Sequence, residues 1–349
     1  MRTRVMTLLT GMLGLAALAT MAAGASAEDR ITLRIGTAGH QDEALGADIG
    51  DVLVPAIEKY SGGRIDVKVY YGGSLCSEQK CIEQVRLGQI DLGTVSSGNV
   101  GAFGTTFDII NLPYLFKNDK VASEILNGWL AKELSTRAES EMKMHVIALV
   151  PVGGFRQVVN TQREVKVPSD LHGLKIRVTK SPTEFNLEKA WDAVAVPYDW
   201  SALYEGLQSG VVQGMYLQDP FTAAGKFYEV VKYITRVSAA YSAHPIMMDL
   251  ERYKKLPDWA RTAIDKAGAD LQQKGYGNDM AWQARAVKPM EGKVKVYTPT
   301  EAEMALWHKG AKQAWVAVRG TYDPKLARRI LEQEGAHDLL ADLETAKAL

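Results

Sequence analysis

Arg177 sits inside a short β-type run, Leu174-Lys175-Ile176-Arg177-Val178. Successive side chains along such a run point to opposite faces. A guanidinium placed there is held by a sheet and does not hang from a mobile loop. Its planar fork suits a two-point grip on a carboxylate. A solvated strand arginine would look the same if the run stood alone. Covalent chemistry has little to work with elsewhere. The six histidines, His40, His145, His172, His244, His308 and His337, are scattered without partner spacing. No G-x-S-x-G, H-E-x-x-H or glycine-rich phosphate loop occurs, and a hydrolase needs a nucleophile, base and orienter within reach of one another.

The elements that must position Arg177 are legible as an α/β pattern. Ile31 to Thr37 alternates as a strand, and Asp42 to Tyr60 has helical spacing ending at Ser61-Gly62-Gly63. Ile65 to Tyr71 reads as a second strand. Ser77 to Leu87 reads as a helix, with Glu78 in its first turn, where the helix dipole favours it, and Gly88 at its end. Ile90 to Val95 is a third strand. Strand, helix, strand, helix, strand predicts a lobe with a parallel core. Asp119 to Ser140 reads as helix and His145 to Pro151 as a strand. Pro257 to Arg285 and Thr300 to Thr321 are long helical stretches. Ser96, Ser97 and Asn99 follow the third strand, where small polar groups can bond a ligand's polar atoms. Ser-Ser-Gly-Asn is equally a turn composition.

The ends and composition narrow the class. Arg2 and Arg4, an uncharged run from Val5 to Gly24 and the small-residue site Ala25-Ser26-Ala27 read as a secretory signal cleaved near Ala27. That predicts an exported chain in a periplasm. The 349-residue chain has 41 basic and 41 acidic residues, and loss of Arg2 and Arg4 leaves a small acidic excess. Nothing there points to nucleic acid or an anionic membrane. A chain of this length predicts two lobes. Cys76 and Cys81 are the two cysteines. In an oxidising compartment a close pair reads first as a disulfide, with Cys76 in the turn before a helix and Cys81 in its first turns. A metal site would need a histidine or third cysteine nearby, and a redox role a C-x-x-C spacing.

Several segments together resemble the DctP-type solute receptors of TRAP (tripartite ATP-independent periplasmic) transporters. They are Gly154-Phe155-Arg156 to Asn160, Pro168-Ser169-Asp170-Leu171-His172-Gly173-Leu174-Lys175-Ile176-Arg177-Val178, Pro197-Tyr198-Asp199-Trp200, Leu207-Gln208-Ser209-Gly210-Val211-Val212-Gln213-Gly214 and Lys226-Phe227-Tyr228-Glu229-Val230-Val231-Lys232-Tyr233-Ile234-Thr235. Earlier matches are Ser61-Gly62-Gly63-Arg64-Ile65-Asp66-Val67, Gly88-Gln89-Ile90-Asp91 and Leu112-Pro113-Tyr114-Leu115-Phe116. The resemblance implies an α/β, two-lobed periplasmic-binding-protein fold with a hinge, a ligand cleft between the lobes and long C-terminal helices. The expected layout is a signal peptide over 1–27 and a first lobe over 28–151 and 244–299. A carboxylate-binding second lobe over 152–243 and C-terminal helices over 300–349 complete it.

The resemblance also implies roles. Arg177 corresponds to the family's carboxylate clamp. Arg156 is a helper contact or a salt bridge holding its lobe together. Gln41, beside His40, occupies the first-lobe ligand position. Trp200 matches a tryptophan near the pocket, with Tyr198 a weaker candidate. The family's usual G-Q-E-N-P becomes Gly214-Met215-Tyr216-Leu217-Gln218, so Tyr216 and Leu217 suggest a more apolar wall and a larger or less polar ligand than a small dicarboxylate. Asp219 could contact a hydroxyl or amine. Glycine is usual where Cys76 stands, which makes the disulfide a subfamily feature. The implied partners are a small organic acid and the small and large membrane subunits of a TRAP permease, with no cofactor or metal and no enzymatic step. The rival readings are a receptor that presents its ligand to a membrane sensor kinase, and an exported hydrolase.

Overall fold

The structure, a computed structural model, describes residues 30–349. The expected signal peptide and its cleavage site near Ala27 lie outside the described residues. Among those residues no helix is long and apolar enough to cross a membrane.

Two mixed sheets organise the chain. The first has the order β2-β1-β3-β10-β4, built from β1 (Ile31–Gly36), β2 (Ile65–Tyr70), β3 (Leu92–Thr94), β4 (Met144–Pro151) and β10 (Ala243–Asp249). β1 is parallel to β2 and β3, whereas β10 runs antiparallel between β3 and β4. The second sheet has the order β11-β9-β5-β8-β6-β7. Its strands are β5 (Arg156–Asn160), β6 (Lys175–Val178), β7 (Val194–Pro197), β8 (Gly214–Gln218), β9 (Tyr233–Thr235) and β11 (Lys295–Tyr297). Each sheet buries apolar clusters on both faces, the arrangement of two α/β lobes.

Residues 244–299 were expected in the first lobe, and β11 corrects that. It pairs with β9 in parallel from Lys295↔Tyr233 to Tyr297↔Thr235, so this segment ends in the second sheet. The 29-residue helix Asp258–Ala286 carries the chain there, about 43 Å at 1.5 Å per residue. It packs closely on β4: a Cβ at Gly268 would lie 2.1 Å from the Ile147 carbonyl oxygen.

The last helices touch both lobes. Thr300 opens Glu301–Ala317 with a capping box closed by Glu303, so the sequence states the start of this helix directly. Its Trp307 meets Trp191 of the second lobe edge-on at 4.9 Å. Trp315, about two turns further on, donates from its indole to the Pro113 carbonyl at 2.9 Å and sits in a first-lobe core cluster. Ile330 and Leu331, from helix Pro324–Glu334, join that cluster.

Candidate functional site

The carboxyl ends of the strands of both sheets converge on one cavity of about 40 Å³. Ala38 and Gly39 follow β1, Ser96 follows β3, Thr179 follows β6, and Gln218 ends β8; all line it. Open α/β sheets bind ligands at this edge because loop backbone and strand-end side chains point into one crevice. β10 contributes from the opposite direction. Being antiparallel, it brings Ser242 and His244, at its start, beside the ends of β3 and β4.

Arg177 is built into the floor. Ile176 and Val178 enter an apolar cluster on one face of β6, which sends Arg177 the other way. The side chain is 1 % exposed. Its Nε–H donates to the Tyr198 carbonyl at 2.9 Å, while its two terminal nitrogens have no hydrogen-bond partner among the described residues. Burial lowers its pKa to about 10, so the group is charged at neutral pH. A buried cation with free donors facing a cavity is a site for a small anion.

Arg156 also lines the cavity, but its charge has a partner. Glu184, fully buried on the helix Pro182–Ala190, lies 3.2 Å from its Nε, and its Nη1–H donates to the Tyr216 carbonyl at 3.2 Å. The other Glu184 oxygen accepts the Thr179 N–H at 3.1 Å. The salt-bridge role and the cavity role therefore coexist in one residue.

Trp200 and Leu217 line the cavity, and Phe221, which meets Trp200 edge-on at 5.9 Å, extends that apolar wall. Asn99 also reaches it. Four expected contacts do not. Tyr216 lies on the opposite face of β8 from Leu217, packed beside Trp191 at 5.9 Å, because strand side chains alternate. Of the apolar substitutions at 215–217, only Leu217 therefore shapes the cavity wall, Met215 being buried in the cluster beneath. Gln41 is exposed in the loop before the helix beginning at Ala44 and does not line the cavity, nor does His40. Ser97 turns inward and donates to Asn111 Oδ1 at 2.9 Å. Asp219 heads the helix Asp219–Ala224 and accepts from Arg236 Nε at 3.2 Å, away from the cavity.

Glu78 overturns the helix-dipole expectation. It precedes the helix Gln79–Arg86 with φ 47° and makes no side-chain cap bond. Its Oε2 instead accepts the Ser96 N–H at 3.0 Å, the Ser96 hydroxyl at 3.2 Å and the Asn99 Nδ2–H at 3.1 Å, which turns the carboxylate to the cavity. Cys76 and Cys81 flank it and are joined as a disulfide, with Cα atoms 4.9 Å apart.

Sequence reasoning also missed Glu43 and His244. Glu43 accepts the His40 N–H at 3.1 Å, and burial pushes its carboxyl up to about 7. His244 is buried, its Nδ1 lacks a partner, and burial pushes its pKa down to about 4, which keeps it neutral. Ser242 Oγ and Gln218 Oε1 are likewise buried at the cavity without partners. Among the described residues no cluster of His, Cys, Asp or Glu is placed to hold a metal ion.

Among the described residues, two α/β lobes meet at a polar cavity that holds one buried cation without an ion-pair partner, the layout of a solute receptor of the periplasmic-binding type. Residues 38–320 match the model of the DctP family, bacterial extracellular solute-binding protein family 7, and the chain belongs to that family. It is 32% identical to a solute-binding protein of Verminephrobacter eiseniae over 74% of this chain and 77% of that one. It is 24% identical to the C4-dicarboxylate-binding periplasmic protein DctP of Rhodobacter capsulatus over 72% of this chain and 76% of the other. The crystal structure of a sugar-acid-binding protein from Advenella mimigardefordensis in complex with galactonate superposes with a TM-score of 0.81, covering 87% of this chain and 97% of that one at 22% identity.

Proposed function

We propose that the protein is a periplasmic receptor that binds an organic acid between its lobes and delivers it to a TRAP-type permease, without covalent chemistry. The observation that carries the proposal is Arg177: buried, anchored through Nε to a backbone carbonyl, and with both terminal nitrogens free at the cavity. Burying a carboxylate is costly unless it is paired and hydrogen-bonded, and this guanidinium offers both in fixed orientation. The relatives named for C4-dicarboxylate and sugar-acid binding support the same ligand class. In this reading Trp200, Leu217 and Phe221 exclude water around the carbon skeleton. Ser96, Asn99 and Gln218 hold its polar substituents. Export follows cleavage near Ala27.

Capture in this reading requires lobe closure. Gly98 of the first lobe lies so close to the second that a Cβ there would sit 2.3 Å from Thr179 Oγ1. Small-angle scattering on protein refolded to remove carried ligand tests this. A bound organic acid should reduce the radius of gyration, and Gly98→Ala should weaken binding by about 1–3 kcal/mol through overpacking. An unchanged radius on saturation would contradict capture by closure.

A further inference from the structure

The charges around the cavity bear on what the acid carries at its other end. Arg156 is paired with Glu184 at 3.2 Å, so of the two arginines only Arg177 has no ion-pair partner among the described residues. Glu184 acts on that charge most strongly, and Glu78, on the first lobe, also bears on it across the cavity, with no ion pair to either. Its Oε2 accepts three hydrogen bonds from Ser96 and Asn99, which fixes the carboxylate and leaves Oε1 free. Glu43 adds a second carboxyl on the same side of the cavity, and its Oε1 is also free. The buried His244 beside them has an unpartnered Nδ1.

The cavity thus has a cationic pole on the second lobe and an acidic pole on the first, with no net positive charge left to neutralise an anion. A dicarboxylate would place its second charge against Glu78 in a desolvated cleft, where like charges repel strongly. A monocarboxylate with an unsubstituted tail would leave the Glu78 oxygen without a donor, and a hydroxy acid would supply one but add an uncompensated negative charge. A ligand with a carboxylate and an ammonium satisfies both poles and adds no net charge.

We infer that the ligand is a small zwitterion, an amino acid or related amino-carboxylate, with its carboxylate on Arg177 and its cationic nitrogen on Glu78. The assignment rests on the organic-acid reading and adds the second pole. The Cys76–Cys81 ring spans Glu78 and holds its left-handed backbone, φ 47°, a conformation costly for a residue with a side chain. It is thereby a positioning device for that acid.

Isothermal titration of the refolded protein with one matched set of compounds tests the assignment. The set comprises two- to six-carbon amino acids with nitrogen at each position, the corresponding hydroxy acids, unsubstituted acids and dicarboxylates, and the amino amides. An amino acid should bind at least ~10-fold more tightly than its hydroxy, unsubstituted and dicarboxylate counterparts, a difference of about 1.4 kcal/mol. Glu78→Gln should bring that ratio to about one, because the amide keeps the shape and loses the charge that the ammonium pairs with. Hydroxy acids or dicarboxylates binding as tightly as amino acids would overturn the zwitterion and leave the carboxylate clamp standing. So would a preference that survives Glu78→Gln. Amides binding as tightly as acids, with no loss in Arg177→Met, would overturn both.

Discussion

Arg156 and Arg177 lie on strands separated only by β8, both almost fully buried and both at the cavity. Their surroundings nonetheless give opposite expectations on mutation. Replacing Arg156 with Met removes the ion-pair partner of Glu184, a fully buried carboxylate. Breaking a buried pair in this way costs about 3–5 kcal/mol of stability. Arg177→Met instead removes a cation whose terminal nitrogens have no partner. The unliganded protein should then unfold within about 1 kcal/mol of wild type, while losing about 2–5 kcal/mol of affinity for its acid, as expected for one member of a buried charge pair. Urea unfolding of the two unliganded variants separates these effects. Equal stability losses in both would place Arg177 in the scaffold.

At the scale of elements, the close packing of Asp258–Ala286 on β4 turns on one residue. In Gly268→Ala the new methyl would meet the Ile147 carbonyl at 2.1 Å, and the backbone of one element has to shift. Because alanine is otherwise the better helix former, intrinsic propensity predicts a gain; the contact predicts a loss of about 1–3 kcal/mol, readable as a lower urea midpoint. The helix itself was legible in advance from its long, uninterrupted pattern, as was the strand that holds Arg177 from its alternation. The disulfide ring was legible because both cysteines are local. The acidic side of the cavity was not. Glu78 sits at a helix start, where dipole logic explains an acid without any ligand, and only the fold shows its carboxylate turned toward Ser96 and Asn99. Ser242 and His244 reach the site because β10 inserts antiparallel between β3 and β4, a pairing across about 100–150 residues of chain that no local pattern encodes. Tyr216 was misplaced because membership of a strand does not say which face looks at the ligand, and Leu217 took that face. β11 was assigned to the wrong lobe since three residues carry too little pattern to name a partner strand.

At the scale of the whole molecule, buried carboxyls set the response to pH. Glu43, Asp48, Asp279 and Glu334 are pushed up to about 7 and Glu188 to about 8, in each case chiefly by burial. In the unfolded chain such groups titrate near 3.8–4.5. Between those values the native state holds more protons than the unfolded state, so stability falls as pH rises through the window. His244, pushed down to about 4, acts in the opposite sense below its ordinary 6.5. The comparison is therefore made above that value: the unfolding free energy should be larger at pH 6.5 than at pH 8.5 by about 1–3 kcal/mol, measured by urea titration. A flat profile would mean these carboxyls are hydrated enough to ionise freely. The proposed function rests on two lobes meeting around the Arg177 guanidinium, and it is tested by a thermal-shift screen of organic acids against their amides on refolded wild type and Arg177→Met. An acid at about a hundredfold over its dissociation constant adds about 2.7 kcal/mol, which raises the midpoint by several degrees. That shift is expected for a group of acids on wild type, is expected to be absent for their amides, and is expected to be absent for every compound on Arg177→Met. Amides that stabilise wild type as well as the acids do, or acids that still stabilise Arg177→Met, would contradict it.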